Sequence, residues 1–408
     1  MTALATRVSP AKNVVRVHWW IWPVSLFAVT RIIDALMIQI AQRHQIAISG
    51  SLGGYHITAP SPASPGYFGV AANWDGQWYW QIALNGYPSG LPTDAAGHIQ
   101  QNEWAFAPLY PLIVGALTRI TGLSFPIVGV LVTTACALVG VVFVYLLVEE
   151  RAGTFAARAT SLLLCTQMAA ASFQIAYTEG PALMFLASAL WCIRRERYLA
   201  AGLLLWGLGL TRHVLLPVLG VLVVLGVQQW RNGRLTGGTF ARVASLFVST
   251  VVAVGAWPAV AALRTGSLGA LTDTQSAWRT SDTTGPLGLF SIAYQLWGAP
   301  GLLLPTALMC VVGYLVLRPA ARAWSPEIRA WSLIYPAYVL VIAPAATSYF
   351  RFLLLAFPLA WPFPDQRIGT RFRWALVLAL AAAGLVMQWY WVRNFLVLGP
   401  IAQQSGLP

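Results

Sequence analysis

Charge is what this chain has least of. Of its 408 residues only 9% are Asp, Glu, Lys or Arg, against about 25% in soluble domains, which excludes a water-soluble fold. Lysine is almost missing: Lys12 stands alone among 25 basic residues, the rest arginine, a bias that fits a GC-rich bacterial genome. Cysteine is scarce too. Cys136, Cys165, Cys192 and Cys310 all sit inside apolar segments, which predicts buried free thiols rather than disulfides. No His, Cys or paired Asp cluster has ligand spacing, so no metal or other cofactor is expected. No internal repeat suggests the inverted halves of a transporter.

What is present is hydrocarbon: 58% hydrophobic residues and a mean hydropathy of +0.67. Long apolar runs between short Arg-bearing loops predict an all-α polytopic membrane protein, because lipid offers the backbone no other hydrogen-bond partner. The net charge of +13 then reads as basic cytoplasmic loops, not as a nucleic-acid surface. The apolar run from Val17, behind Arg7, Lys12 and Arg16, is too long for a cleaved signal and reads as a first span that stays. Further spans fall at 124–148, 155–173, 179–193, 198–212, 214–230, 242–263, 300–318, 328–346, 350–366 and 374–397, about 11 crossings with 17–41. Segment 106–122 is either a crossing or a re-entrant or juxtamembrane helix. Treating it as non-spanning leaves most of the basic residues on the N-terminal, cytoplasmic side, so the positive-inside bias favours that choice. The chain is thus one transmembrane domain over 1–408. A first extracytoplasmic loop covers 42–123 and a second covers 264–299, with Asp273, Trp278, Arg279 and Asp282. Within the first, 49–66 reads as a lid or as disordered chain.

The stretch NWDGQWYWQIALNGYP, 73–88, surrounds one acid with aromatics. Asn73 suits an N-cap, and Asn85-Gly86 a helix stop with Pro88 beyond, which predicts a helix over 74–84. Asp75, Trp78, Tyr79 and Ile82 then share one face. The stretch admits two readings. It is an interfacial aromatic anchor, with Trp74, Trp78 and Trp80 at the headgroups and Asp75 complementing the helix dipole; or it is a niche for a base. Other ionisable groups bear on that choice. Glu103, Glu179, Arg212 and Arg351 fall on the same membrane face as Asp75. Arg31 and Asp34, three apart in the first span, are placed to pair and lock helices. A carboxylate and arginines on one face suit a reaction on a membrane-bound phosphate ester. Arginines hold the phosphate bidentately and a carboxylate takes a hydroxyl proton.

At these residues the chain resembles a family. WDGQWYWQIALNGYP (74–88), FAPLYPLIVGAL (106–117), the YTE of 177–179, AGLLLWGLGLTR (201–212) and SYFRFLLLAFPL (348–359) are similar, in order, to the PIG-V family. These are the second mannosyltransferases of GPI-anchor synthesis and their bacterial relatives. The family usually carries histidine where this chain has Trp78. The resemblance implies a GT-C glycosyltransferase in a bacterial cell membrane. It would be an inverting enzyme moving a sugar, mannose first, from a polyprenyl-phosphate donor to an acceptor glycan, glycolipid or protein on the outer face. Asp75 would be the general base, Glu103 its backup and Glu179 an orienting acid. Arg212, Arg351 and His213 would hold the donor phosphate. Trp74, Trp78, Tyr79, Tyr110 and Tyr177 would contact sugar or lipid. The rival class is a lipid or sugar transporter lined by Arg31, Asp34, Glu179 and Arg212; a third is a non-catalytic scaffold. A transporter needs charge near the midplane, whereas this chain keeps its acids in outer segments.

Overall fold

The computed structural model describes residues 18–52, 54–234, 236–278, 290, 293–294, 297–319, 321, 324–342, 348–360 and 369–399. Expectations resting on Arg7, Lys12, Arg16, Arg279, Asp282 and 361–366 lie outside the described residues.

Helix α1 (Ile21–Ala41) opens the bundle, followed by a two-stranded antiparallel hairpin, β1 (Ile48–Leu52) and β2 (Tyr55–Ser61). The stretch expected to be a lid or disordered is therefore ordered for much of its length. Leu52, Tyr55 and Ile57 bury their side chains in the core, which fixes the strand faces. Short helices α2 (Gly66–Ala71) and α3 (Asp75–Asn85) follow, then α4 (Leu109–Thr121). At 1.5 Å per residue α4 is about 20 Å long, short of a hydrocarbon core of about 30 Å.

The spans expected at 124–148 and 155–173 form one run, α5 (Phe125–Cys165), broken at Gly153 with φ 80 and ψ 174. A side chain there would be strained, and the glycine lets the chain turn back. Helices α6 (Glu179–Arg194), α7 (Tyr198–Gly209), α8 (Leu216–Arg231), α9 (Gly237–Thr265) and the short α10 (Ala270–Ala277) come next. They are followed by α11 (Leu303–Leu317), α12 (Pro326–Ile342), α13 (Tyr349–Phe352) and α14 (Thr370–Trp391). The span expected at 350–366 is instead α13 running into a 3-10 stretch, Leu353–Ala360. Among the described residues, five helices are long and apolar enough to cross a membrane. Their outward side chains are aliphatic: Leu263 is 85% exposed and Leu317 67%. In water this surface would aggregate; in lipid it is at home. Cys310, expected to be buried, also faces outward on α11, while all four cysteines are free.

Two ends of the bundle are defined by contacts. At one, Trp374 meets Trp22 and Phe155, Arg158 lies over Trp22, and Arg194 pairs with Glu150 at 2.8 Å. That end is basic, with Arg151, Arg158, Arg194, Arg195 and Arg373. At the other, the start of α3, the α7–α8 turn, α13 and the chain after α14 converge. Leu396 O accepts from Asn73 Nδ2 and Trp74 Nε1, and Asp75 meets Arg351. Arg31 and Asp34 pair at 2.7 Å between these ends. The guanidinium also donates to the carbonyls of Ala170 and Cys165, so the pair ties α1 to α5 and its continuation.

Candidate active site

Four charged side chains meet at the second end. Arg351 Nη1 donates to Asp75 Oδ2 at 2.7 Å and lies 3.3 Å from Glu179 Oε1. Arg212 Nη1 donates to the same Glu179 oxygen at 2.9 Å and to Thr178 Oγ1 at 3.1 Å. The result is a chain, Asp75–Arg351–Glu179–Arg212, whose charges sum to zero. Its members come from helix ends: Asp75 opens α3, Glu179 opens α6, Arg212 follows α7 and Arg351 sits on α13. Acids at helix N-termini are favoured by the dipole, so each carboxylate has a local reason for its place beyond its ion pair.

Asp75 is aimed by a distorted backbone. Trp74, immediately before it, has φ 53 and ψ −120, a conformation that costs about 1–3 kcal/mol outside glycine. Surrounding bonds hold it there. The Trp74 indole donates to Leu396 O, the Asn73 amide donates to Gln45 Oε1 and Leu396 O, and Tyr177 Oη donates to Asn73 O. Asn73 was expected to cap the helix. Its side chain caps nothing and instead ties the turn to the chain after α14, so the helix begins at Asp75. The helix stop at Gly86, φ 74, falls where expected. The interfacial-anchor reading fails for Trp74 and Trp78, both buried; of the three tryptophans only Trp80 is exposed, at 38%.

Asp75, Arg212, Arg351 and Thr178 open on a cavity of about 350 Å³. One wall, from α12 and the turn before α8, is His213, Val214, Tyr335, Tyr338, Val339 and Ile342. Phe352 also lines it, with the Arg212 guanidinium 4.9 Å over its ring. A second part of the lining, held together by the Phe106–Trp278 ring contact and the Gln275–Ala105 hydrogen bond, is Ala105, Phe106 and Ala107 with Leu271, Gln275 and Trp278. Tyr79 also lines it, its hydroxyl 3.1 Å from Thr178 Oγ1. Burial, and after it the Asp75 carboxylate, pushes the Tyr79 phenol well above its ordinary pKa, so it stays protonated. His213, in the α7–α8 turn, is pushed down to about 4 by burial and then by Arg212.

The residues singled out in the sequence divide clearly. Asp75, Tyr79, Arg212, His213 and Arg351 line the cavity, and Glu179 sits behind it, 1% exposed, joining the two arginines. Glu103 lies outside the lining, on a 3-10 turn next to the Trp104–Trp257 cluster. Tyr110 donates to Gly129 O in the core, and Tyr177 lies under the Arg351 guanidinium at 4.8 Å without lining the cavity. Trp74 and Trp78 also stay out of the lining. Sequence reading missed Tyr335 and Tyr338, whose spacing of three in YPAY places both on one helix face. It also missed Gln275, for which no motif speaks.

No protein-family model matches the chain, and no curated protein matches it. Among solved structures it is similar to ArnT from Cupriavidus metallidurans in the apo state. Identity is 15% and the TM-score 0.51, over 92% of this chain and 68% of ArnT. The same protein bound to undecaprenyl phosphate gives 15% and 0.49, over 94% and 74%. The fold, an all-α bundle with several helices apolar enough to cross a membrane, is thus similar to that of ArnT. That likeness, at 15% identity, is one of architecture, and the chemistry rests on the cavity.

Proposed function

We propose that this chain transfers a sugar from a polyprenyl-phosphate donor to an acceptor hydroxyl at the extracytoplasmic face of a bacterial cell membrane. The observation that carries the reading is the cavity in which one carboxylate and two arginines meet between apolar walls. The basic opposite end supports a cytoplasmic N-terminus and an outward site. The resemblance of the motifs at 74–88, 106–117, 177–179, 201–212 and 348–359 to PIG-V proteins is the ground for taking mannose as the sugar.

The step balances as a single displacement with inversion. The acceptor oxygen attacks the anomeric carbon, and its proton passes to Asp75 as the new C–O bond forms. The bond from the anomeric carbon to the phosphate oxygen breaks, and that oxygen keeps the electron pair. The donor diester carries one negative charge and the departing monoester two. Asp75 becomes neutral in the same step, so Arg351 loses the nearer of its two anionic partners as the phosphate gains a charge. The guanidinium is handed from carboxylate to phosphate without crossing the site. Arg212 supplies the second cation, and Glu179 holds both arginines in position. The α12 wall, with Tyr338, Val339 and Ile342, receives the isoprenoid. In this reading the arginines provide the positive charge, and no metal is needed.

The test is transfer of labelled mannose from polyprenyl-phosphate mannose in membranes expressing wild type or Asp75→Asn. Asp75→Asn is expected to lower the rate by about 10²–10⁴ with normal protein level and donor binding. Undiminished transfer would remove Asp75 as the base.

A further inference from the structure

We infer that Trp278, braced over the cavity by Gln275 and three aromatic rings, is the platform on which the acceptor binds, and that the acceptor presents a sugar ring. This rests on the transferase reading and names what that site takes.

Trp278 ends α10, far in sequence from the motif it covers. Its ring makes edge contacts with Tyr55 at 5.4 Å, Trp78 at 5.2 Å and Phe106 at 5.3 Å, yet it still lines the cavity. The helix beneath it is pinned: Gln275 Nε2 donates to Ala105 O, and Asn102 Nδ2 to Thr274 Oγ1. A ring so held is pre-set rather than free to rotate, which lowers the entropic cost of binding a partner. The Trp278 indole N–H is buried with no hydrogen-bond partner among the described residues. Leaving such a donor unsatisfied costs roughly 1–3 kcal/mol.

The side of the cavity assigns this platform to the acceptor. Arg212 lies over Phe352 on the α12 side, where the donor phosphate and its apolar tail belong. Trp78 stands one helical turn beyond Asp75, so Trp278 packs on the base's own helix. The group that yields its proton to Asp75 therefore lies against Trp278. A sugar ring matches that surface: its C–H face packs on the Trp278 indole while its hydroxyls meet polar groups of the lining such as the Gln275 amide. A peptide Ser or Thr uses only the hydroxyl and leaves the ring face bare.

The experiment uses full-length protein in detergent micelles with polyprenyl-phosphate mannose. Two acceptor probes, octyl α-mannopyranoside and a Ser/Thr-rich peptide, are compared, and release of free mannose to water is followed as a third product. Wild type is expected to label the glycoside in preference to the peptide. Trp278→Ala should raise the glycoside KM by about tenfold, with the donor KM within about twofold. Trp278→Phe, which keeps a ring in place, should show a smaller rise and guards against misfolding. Preference for the peptide, transfer of sugar to neither probe alongside mannose release, or an effect falling on the donor KM would overturn the inference. Absence of both transfer and mannose release in wild type would instead sink the transferase reading on which it rests.

Discussion

Glu179→Gln separates the charge of Glu179 from its shape. The side chain is 1% exposed and its Oε1 takes Arg212 at 2.9 Å and Arg351 at 3.3 Å. At an effective dielectric of about 20, each such pair is worth about 4 kcal/mol near 4 Å. The glutamine oxygen still accepts a hydrogen bond, and Arg351 keeps Asp75. The loss therefore falls mainly on Arg212, whose remaining described partners, the Thr178 hydroxyl and the Phe352 ring, are both neutral. Breaking a buried pair on one side costs about 3–5 kcal/mol, and the retained hydrogen bond puts this case at the lower end, about 3 kcal/mol. In a chain this long that corresponds to roughly 3–6 °C in Tm, scaling from smaller domains. The substitution also leaves the site with a net charge of +1. A phosphate entering it then neutralises an uncompensated guanidinium, so polyprenyl phosphate should raise the Tm of Glu179→Gln by more than it raises that of wild type. The assay is thermal unfolding in micelles with and without polyprenyl phosphate. A variant that melts within a degree of wild type, or that gains no more from the lipid, refutes the bridging role.

Three further outcomes follow from the same geometry. Glu103→Gln, outside the cavity, should keep mannose transfer within about twofold of wild type; a collapse would return Glu103 to the site. Gly180→Ala places a methyl against the Thr133 carbonyl of α5, and should cost about 1–3 kcal/mol through overpacking while lowering transfer by displacing Glu179. Unchanged Tm and rate would show that the α5–α6 contact has room. His213, held near pKa 4, binds no proton in the folded state between about pH 6.5 and 4, whereas the unfolded chain does. Stability should thus fall as pH drops through that window, and His213→Gln should flatten the slope; equal slopes would place the titration elsewhere.

Much of the site was legible because charge is rare here. In a chain this apolar, an ionisable residue near a helix end stands out, and Asp75, Glu179, Arg212 and Arg351 could each be picked from the sequence on that ground. What the sequence could not give is the order in which they touch, since no two of them share a helix. The aromatic residues misled for a related reason. Tryptophan suits both a membrane interface and a packed core, and composition does not choose between them. For Trp74 and Trp78 the choice was made by segments far away, the carbonyl of Leu396 and the ring of Trp278. Similarly, Asn73 carries the right chemistry for a cap, but Gln45 and Leu396 offered its amide better-placed partners.

The strained Trp74 connects these points. Its φ of 53 is tolerated because the bonds to Leu396, Gln45 and Tyr177 over-determine the turn. The same turn sets Asp75 against Arg351 at the first residue of α3. A relaxed N-cap would have left Asn73 bonded to its own helix and the aspartate merely complementing a dipole. The position of Asp75 thus depends on contacts made by Asn73 and Trp74 rather than on the local helix signal. Disturbing Leu396 or Gln45, neither of which lines the cavity, should therefore reach the reaction only through the aspartate.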